Sequence, residues 1–268
     1  MDSDYSLGES GVSSERHHPD FVQSLERGLA VMKAFSRETP TLTLSEIAER
    51  TGLTRAAARR FLITLRDLGY VQSDGRQFSL RPRVLELGYS YLSSLPVWEI
   101  ARPHLEELAE RVRETTSASV LDGTDIVFVA RVETKRIMSM TLGVGSRLPA
   151  WATAMGRVLL ADLHPPRLDE YFEKVTPQPI THRTVADEEH LRKIIDEARV
   201  QGWTLVDQEV EEGVRSLAVP IRSPEGKAEA ALTICSHAYR VSVDRIMDEF
   251  LPMVLGTSAR ITEDLVQR

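Results

Sequence analysis

The stretch Thr43–Leu80 reads TLSEIAERTGLTRAAARRFLITLRDLGYVQSDGRQFSL and carries the clearest local signals in the chain. Thr43 and Glu46 have the spacing of a capping box, in which each side chain binds the other residue's backbone N–H at a helix start. Gly52 can adopt the left-handed conformation that ends a helix, and Thr54 can cap a second one. Two short helices joined by a turn containing Gly are typical of a helix-turn-helix.

The second of these helices, predicted from Thr54 to about Leu68, has two distinct faces. The side chains expected to pack inward are Ala58, Phe61, Leu62 and Leu65. The side chains expected to face outward are Arg55, Ala56, Arg59, Arg60 and Arg66. A recognition helix needs this arrangement, because a small residue lets the helix enter the major groove and arginines reach guanine edges or phosphates.

The end of the stretch predicts a β-hairpin. Tyr70–Ser73 and Arg76–Leu80 flank Asp74 and Gly75, a dipeptide that favours the type I′ turn. A hairpin directly after the recognition helix would be the wing of a winged helix-turn-helix. Arg76 near its tip would contact a phosphate or the minor groove.

The segment before this stretch, residues 24–36, predicts a further helix. It places Leu25, Leu29, Met32 and Phe35 at helical spacing on one apolar face. Ser24 is its candidate N-cap.

The charge distribution fits a DNA-binding head on an acidic body. Residues 21–85 carry 11 Lys and Arg against 6 Asp and Glu, a net charge of +5, whereas residues 96–268 carry 21 against 28, a net charge of −7. An arginine-bearing helix alone is more often a solvated face. The consecutive order of helix, capping box, Gly turn, arginine face and hairpin favours DNA binding. The predicted contacts to double-stranded DNA are Ser24, Arg27, Thr43, Ser45, Thr54, Arg55, Ala56, Arg59, Arg60 and Arg76.

The chain length and the order of predicted elements indicate two domains in an α+β fold. Beyond residue 115, predicted strands alternate with helices, which favours an α/β fold of the kind found in sensor domains. The predicted divisions are a disordered tail at 1–20, a winged helix-turn-helix at 21–82, a linker helix at 83–96 and an effector-binding domain at 97–268.

The single cysteine, Cys235, excludes an internal disulfide framework and makes a cytoplasmic location the default expectation. No membrane span or signal peptide is expected, and no motif implies a cofactor.

A helix expected from about Val97 places Trp98, Ala101, Leu105, Leu108 and Val112 in an apolar stripe. The stripe can pack on its own domain or form a dimer seam. Because operators are commonly palindromic, a homodimer is expected on functional grounds.

The segment LPAWATAMGRVLLA at 148–161 is the clearest candidate for a ligand site. Thr153 can cap a helix whose free backbone N–H groups favour a carboxylate, and Arg147 and Arg215 could supply charge to an acidic ligand. Alternation in the strands puts Asp207 with Glu209, and Thr233 with Cys235 and His237, on common faces. Each feature alone is more often structural. The predicted ligand contacts are Arg147, Trp151, Thr153, Ala154, Met155, Asp207, Arg215, Ser216, Thr233, Cys235 and His237.

Several segments of the sequence resemble those of a known protein family. SLERGL, LSEIAERTGLTRAAARRFL and LGYVQSDGRQFSL resemble the winged helix-turn-helix of the IclR family, and EGVRSLAVPI resembles its GAF-like effector-binding domain. The segment LPAWATAMGRVLLA is similar to the subgroup that controls aromatic-acid catabolism through protocatechuate, 4-hydroxybenzoate and β-ketoadipate.

The resemblance implies a repressor or activator that forms a dimer or a dimer of dimers. It implies a small organic acid as the effector, of the protocatechuate, 4-hydroxybenzoate or β-ketoadipate class. The family's pocket would map onto Ala154, Met155, Asp207, Thr233 and Cys235. Trp151 and Met155 could face an aromatic ring or belong to the core.

Three alternatives stay open from the sequence alone. The effector could be a non-aromatic keto acid. A metal sensor could use Cys235 and His237 with His182 or His190. A bifunctional enzyme and repressor could use Ser216, Asp207 and His237, but no catalytic motif or spacing supports that use, and we expect no enzyme activity.

Overall fold

The computed structural model describes residues 18–93, 96–134 and 142–267, and the chain divides into two compact units between Tyr89 and Ser90. It has an N-terminal helix-turn-helix unit and a C-terminal α/β unit, as predicted from the sequence. The predicted tail at 1–20 falls almost entirely outside the described residues.

In the described part of the N-terminal unit, three helices, α1 to α3, accompany a three-stranded antiparallel sheet of order β1-β3-β2. The elements are α1 (Gln23–Lys33), β1 (Thr41–Thr43), α2 (Leu44–Thr51), α3 (Arg55–Asp67), β2 (Val71–Ser73) and β3 (Gln77–Leu80). Its core is formed by Val31, Phe35, Leu42, Ile47, Ala48, Ala58, Leu62, Leu65 and Val71.

Both predicted caps of the helix-turn-helix are confirmed. The Thr43 hydroxyl accepts a hydrogen bond from Glu46 N, and the Glu46 carboxylate accepts one from Thr43 N at 2.7 Å. Gly52 ends α2 with a φ of 64°, and Thr54 caps α3 by accepting from the N–H of Ala57.

The prediction for α1 is wrong in two details. The helix begins at Gln23, so Ser24 lies within its first turn and does not cap it. Leu25 and Leu29 are exposed, because the helix turns the face that carries Val31 toward the core.

The wing loop is longer than the predicted type I′ turn. Ser73 pairs with Phe78, and three residues, 74–76, lie between the end of β2 and the start of β3. Within this loop only Gly75 has a positive φ, at 99°, whereas a type I′ turn needs two consecutive residues with positive φ. The Asp74 carboxylate accepts hydrogen bonds from the N–H groups of Arg76 and Gln77 and holds the loop in this form.

The segment predicted as a linker helix, 83–96, contains part of a 3₁₀ turn and an α-helix that starts after residue 83. Pro82 opens a 3₁₀ turn, Pro82–Val84, and the α-helix α4 follows at Leu85–Leu92. Residues 94 and 95 of this predicted segment lie outside the described residues.

The C-terminal unit is built on a six-stranded antiparallel sheet of order β6-β5-β4-β9-β8-β7. Its strands are β4 (Thr115–Asp122), β5 (Asp125–Val132), β6 (Arg147–Pro149), β7 (Thr204–Asp207), β8 (Val214–Arg222) and β9 (Ala228–His237). Its helices are α5 (Pro96–Val112), α6 (Ala154–Leu160), α7 (Pro165–Phe172), α8 (Glu188–Gln201), α9 (Val243–Arg245) and α10 (Leu251–Val266), with a π-turn at Ile246–Phe250.

Helices cover both faces of this sheet. On one face, α10 packs on β8 and β9, α5 packs on β4 and β5, and the apolar stripe of α5 is buried there. The described members of that stripe are Ala101, Leu105, Leu108 and Val112. Of the two interpretations left open, packing on the chain's own domain is therefore the one observed for them; the Trp98 side chain lies outside the described residues. On the opposite face, α6, α7 and α8 form a second apolar layer.

Two local irregularities change which side chains face this second layer. Along β5, Ala118 pairs with Ala130 while Ser119 pairs with Phe128, so Val129 is an extra, bulged residue. After β7, Gln208 has a φ of 65°, which ends the alternation, so Asp207 and Glu209 do not share a strand face as predicted.

Candidate functional site

The outer face of α3 presents free guanidinium groups. Arg55, Arg59 and Arg60 are exposed, and within the part of the chain that the structure describes none of them forms an ion pair or a side-chain hydrogen bond. Ala56 is exposed beside them. The opposite face, with Leu62 among its buried residues, anchors the helix in the core. The helix therefore offers three cations without first having to break a contact.

Other arginines of this unit are already engaged. Arg66 pairs with Asp67 at the end of α3. Arg50 donates to Ala34 O at 3.1 Å and to Thr39 Oγ1 at 2.8 Å, which ties α2 to the end of α1. Arg50 and Arg66 are thus engaged within the unit, whereas Arg55, Arg59 and Arg60 stay free on the exposed side of α3, the side that a recognition helix presents to DNA.

The remaining predicted DNA contacts lie on the surface around α3. Ser24 and Arg27 on α1, Ser45 on α2 and Arg76 in the wing loop are exposed. The Thr43 hydroxyl is held in the capping box, where it donates to Glu46 at 2.7 Å. Their contacts with DNA stay predictions.

A cavity of about 30 Å³ lies in the C-terminal unit between the sheet and the start of α6. Its walls are Phe128, Arg131, Leu142, Leu148, Thr153, Ala154, Met155, Val206, Val210, Val214, Ser216, Thr233 and Cys235. One water needs roughly 10–15 Å³ on this measure, and a cavity that holds benzene has about 150 Å³. A ring-sized ligand must therefore displace wall side chains to enter.

Arg131 is the charged group among the described residues that line this cavity. Its side chain is 6% exposed, Nη1 donates to Ser117 Oγ at 3.2 Å, and the guanidinium lies 5.7 Å from the centre of the Phe128 ring. The nearest carboxylate, on half-exposed Glu133, is 3.6 Å from Nη2. Nε is buried without a hydrogen-bond partner in the described part of the chain. A buried donor in this state is costly unless an acceptor reaches it.

Neutral polar groups line another part of the cavity. Ser216 Oγ and Cys235 Sγ are 3.3 Å apart, and the Thr233 hydroxyl donates to Leu217 O at 2.7 Å. Burial raises the pKa of the Cys235 thiol, so this side chain is uncharged at neutral pH.

Six of the predicted ligand residues line this cavity: Thr153, Ala154, Met155, Ser216, Thr233 and Cys235. Thr153 caps α6 as predicted, because its hydroxyl accepts from the N–H of Gly156 at 3.0 Å. Whether any of the six contacts a ligand stays a prediction.

The structure places the two predicted cations, Arg147 and Arg215, away from the cavity. Arg147 pairs with Asp122 and Asp125, and Arg215 pairs with the predicted residue Asp207 at 2.6 Å. Alternation is the cause: in each of these strands the neighbouring residue, Leu148, Ser216 or Val206, faces the cavity instead.

Trp151 and His237 are also absent from the cavity wall. Trp151 is buried in the helical layer, where its backbone N–H donates to the Tyr171 hydroxyl at 2.9 Å. The His237 ring lies beside Gly213 and at 5.3 Å from the ring of Tyr239.

A buried ion pair adjoins the cavity on α6. Arg157, 1% exposed, donates to both oxygens of Glu209 at 2.8 and 2.6 Å, and to Trp151 O at 2.9 Å. Glu209 also accepts from Val185 N at 2.9 Å. The pair ties the helix that carries Met155 to the loop before α8 and to the loop after β7.

Sequence reasoning missed both Arg131 and Arg157. A signal was present: each is a lone basic residue within an apolar run, IVFVARV at 126–132 and AMGRVLLA at 154–161. A charged residue in such a run is buried only when it is paired or functional.

A metal sensor would need several ligand side chains close together. Among the described residues, no three His, Cys, Asp or Glu side chains come together in a group that could hold a metal ion. In the same residues, no helix is both long and apolar enough to cross a membrane.

Comparison with protein families matches both units. The model of the IclR helix-turn-helix domain matches residues 24–75, and that of the bacterial transcriptional regulator IclR C-terminal domain matches residues 89–263.

Individual relatives agree. The Pca regulon regulatory protein of Pseudomonas putida is 44% identical over 92% of this chain and 85% of its own length. The p-hydroxybenzoate hydroxylase transcriptional activator of Acinetobacter baylyi is 36% identical over 92% and 93%. Among solved structures, an IclR homologue from Microbacterium hydrocarbonoxydans complexed with 4-hydroxybenzoate is 26% identical, with a TM-score of 0.81 over 91% of this chain and all of that one.

Proposed function

The chain belongs to the IclR family of bacterial transcriptional regulators, whose matched members are regulators and not enzymes, and we propose that it controls an operon for aromatic-acid catabolism through the β-ketoadipate pathway. In this proposal the N-terminal unit binds operator DNA, and a small organic acid in the C-terminal cavity sets its affinity. The effector class is protocatechuate, 4-hydroxybenzoate or β-ketoadipate.

The single observation that supports DNA binding most strongly is the row of free arginines on α3. Arg55, Arg59 and Arg60 are exposed, and no described residue pairs with them. Cations in this state can contact phosphates and guanine edges without losing an intramolecular partner.

The choice of pathway is supported by the relatives. Two of them are named for the pca regulon and for p-hydroxybenzoate hydroxylase, and a third was solved with 4-hydroxybenzoate. The apolar cavity wall suits an aromatic ring, and its few polar groups suit an acid.

The size of the cavity supports a switching role. Because about 30 Å³ is too small for a ring, a bound aromatic acid must move side chains between the sheet and α6. A ligand that fits one packing better than another shifts the population toward that packing. We propose that the linker helix carries this shift to the spacing of two recognition helices.

A homodimer or a dimer of dimers completes the proposal. Exposed large apolar side chains occur on α1, at Leu25 and Leu29, and on α4, at Leu87 and Tyr89. Such side chains on the N-terminal unit suit contact with a second copy, which a palindromic operator would require.

The test combines DNA binding with a ligand screen. Fluorescence anisotropy would measure binding of the purified protein to the promoter region of its own gene, with a scrambled duplex as control. Thermal melting would be followed with protocatechuate, 4-hydroxybenzoate, β-ketoadipate and, as an outgroup, pyruvate. An acid that binds the folded state raises the melting temperature, and the same acid should change the anisotropy titration. Equal affinity for both duplexes, or a response only to pyruvate, would contradict the proposal.

A further inference from the structure

We propose that the C-terminal cavity selects a ligand with one carboxylate, which Arg131 receives, and discriminates against ligands with two. This inference rests on the proposed function, because it names the charge and the anchoring residue of the effector that the proposal leaves open.

Arg131 has the features of a carboxylate receptor. It lines the cavity, its side chain is 6% exposed, and Nε has no hydrogen-bond partner among the described residues. Ser117 and the ring of Phe128 hold the guanidinium in place. A carboxylate in the cavity would give the buried Nε–H the acceptor it lacks, through a charge-assisted hydrogen bond.

The charge balance of the cavity is set for one anion. No Asp or Glu is among the described residues that form its wall, and Cys235 is an uncharged thiol. Three other arginines near the sheet, Arg147, Arg157 and Arg215, are each paired with a carboxylate outside the cavity. Arg131 differs from them because its carboxylate, on half-exposed Glu133, is 3.6 Å from Nη2 and leaves Nε without an acceptor among the described residues. The described wall therefore offers one guanidinium with a free donor.

A second carboxylate would meet a different surface. Away from Arg131 the described wall consists of apolar side chains, such as Met155, Val206 and Val210, and the neutral pair Ser216 and Cys235. These hydroxyl and thiol groups can meet a ligand hydroxyl. They cannot compensate for the loss of water around a second negative charge. A ring with a carboxylate and a hydroxyl matches this wall, whereas a dicarboxylate does not.

The experiment compares ligands of one shape and different charge by isothermal titration calorimetry on the full chain at neutral pH. 4-Hydroxybenzoate has one charge, and 4-hydroxybenzamide has none. Terephthalate has two charges, and 4-nitrobenzoate is its match in shape with a single charge. Adipate represents the linear dicarboxylates. We expect 4-hydroxybenzoate to bind at least about tenfold more tightly than its amide, because only the acid forms a charge-assisted hydrogen bond. We expect 4-nitrobenzoate to bind about tenfold more tightly than terephthalate, because the second charge of terephthalate stays unpaired.

Variants identify the anchoring residue. Arg131→Gln should weaken 4-hydroxybenzoate at least about tenfold and leave the amide nearly unchanged. Arg131→Lys keeps the charge and should retain the preference for acid over amide, which covers the case in which the glutamine variant fails to fold. The matched control is Arg147→Gln, which removes a cation of the same sheet that is already paired with Asp122 and Asp125; it should leave both affinities unchanged.

The outcomes separate the two proposals. If terephthalate or adipate binds as tightly as the monocarboxylates, or if Arg131→Gln binds 4-hydroxybenzoate like the wild type, the single-carboxylate inference is overturned while the proposed function stands. If no acid binds to a wild-type protein that binds its promoter, the proposed effector control itself fails, and this inference with it.

Discussion

Arginines with available donors occur in two different environments: exposed on the outer face of α3, and buried on the face of the C-terminal sheet that borders the cavity. Arg59 lies in water on a helix whose other side is anchored in a small core. Arg131 is buried beside an apolar cavity, with one N–H unpaired. Both keep donors available for an anion, but burial makes the second site selective. An exposed guanidinium meets any phosphate, whereas a buried one accepts only a ligand that fills the cavity and matches its charge.

The largest effect is expected at Arg157, the buried arginine whose guanidinium is paired with a carboxylate. Arg157→Met leaves the Glu209 carboxylate buried without its partner, so we expect the free energy of unfolding to fall by about 3–5 kcal/mol. Urea unfolding followed by circular dichroism measures this change. The control is Lys193→Met, which breaks the exposed pair with Glu189 and should cost less than about 1 kcal/mol. Similar losses in both variants would mean that burial does not distinguish these ion pairs.

The second test concerns the close packing that positions α6. A Cβ added at Gly156 would lie 2.0 Å from Ala150 O, so Gly156→Ala must push the helix away from the preceding turn. We expect a loss of about 1–3 kcal/mol in unfolding free energy, as is usual for overpacking, and weaker ligand binding because Ala154 and Met155 move with the helix. Gly256→Ala on α10 is the control. Nothing lies within 4 Å of its added Cβ, and its stability should stay the same or rise.

The third test moves to the exposed arginines. Arg59→Ala should weaken promoter binding by about 1–3 kcal/mol if the side chain reads a base, with no change in melting temperature because the residue has no described partner. Anisotropy titrations at several salt concentrations distinguish a base contact from a phosphate contact, since losing a phosphate contact reduces the salt slope by about one. Arg66→Ala, which removes an arginine of the same helix already paired with Asp67, is the control and should change affinity less. An unaltered titration curve for a folded Arg59 variant would remove it from the DNA contacts.

The smallest expected effect is at the start of α2. Thr43→Ala removes the hydroxyl that accepts a hydrogen bond from the backbone N–H of Glu46, and this should lower the free energy of unfolding by about 1 kcal/mol. The neighbouring exposed Ser45→Ala should be nearly neutral to stability. Thermal melting of the two variants side by side measures the difference, and a larger loss for Ser45→Ala would show that the capping box is not what stabilises this helix.

Most of the helix-turn-helix could be predicted because its signals are local. A capping box, a left-handed Gly and an N-cap act over three or four residues, so Thr43, Gly52 and Thr54 were identified from spacing alone. The faces of α3 followed from helical periodicity. The family, the two-unit architecture and several cavity residues were also predicted, and the family and fold are confirmed.

The predictions that were wrong concern features that depend on contacts between distant parts of the chain. Leu25 and Leu29 have the right spacing for a core face, but no element of the described chain covers them. The wing turn was expected from Asp74 and Gly75, but strand pairing of Ser73 with Phe78 selected a longer loop.

The ligand cavity shows most clearly which features follow from local sequence and which depend on the folded structure. Strand alternation by itself would put Phe128 and Arg131 on opposite faces, because their positions differ by an odd number. The bulge at Val129 puts both on the cavity wall, and it exists only because β4 and β5 pair with shifted register. Local spacing in the sequence therefore specified the helices and their caps, since those depend on neighbours in the chain. Which arginine is buried, paired or left available for a ligand depended on contacts between distant segments, and only the folded structure supplies those.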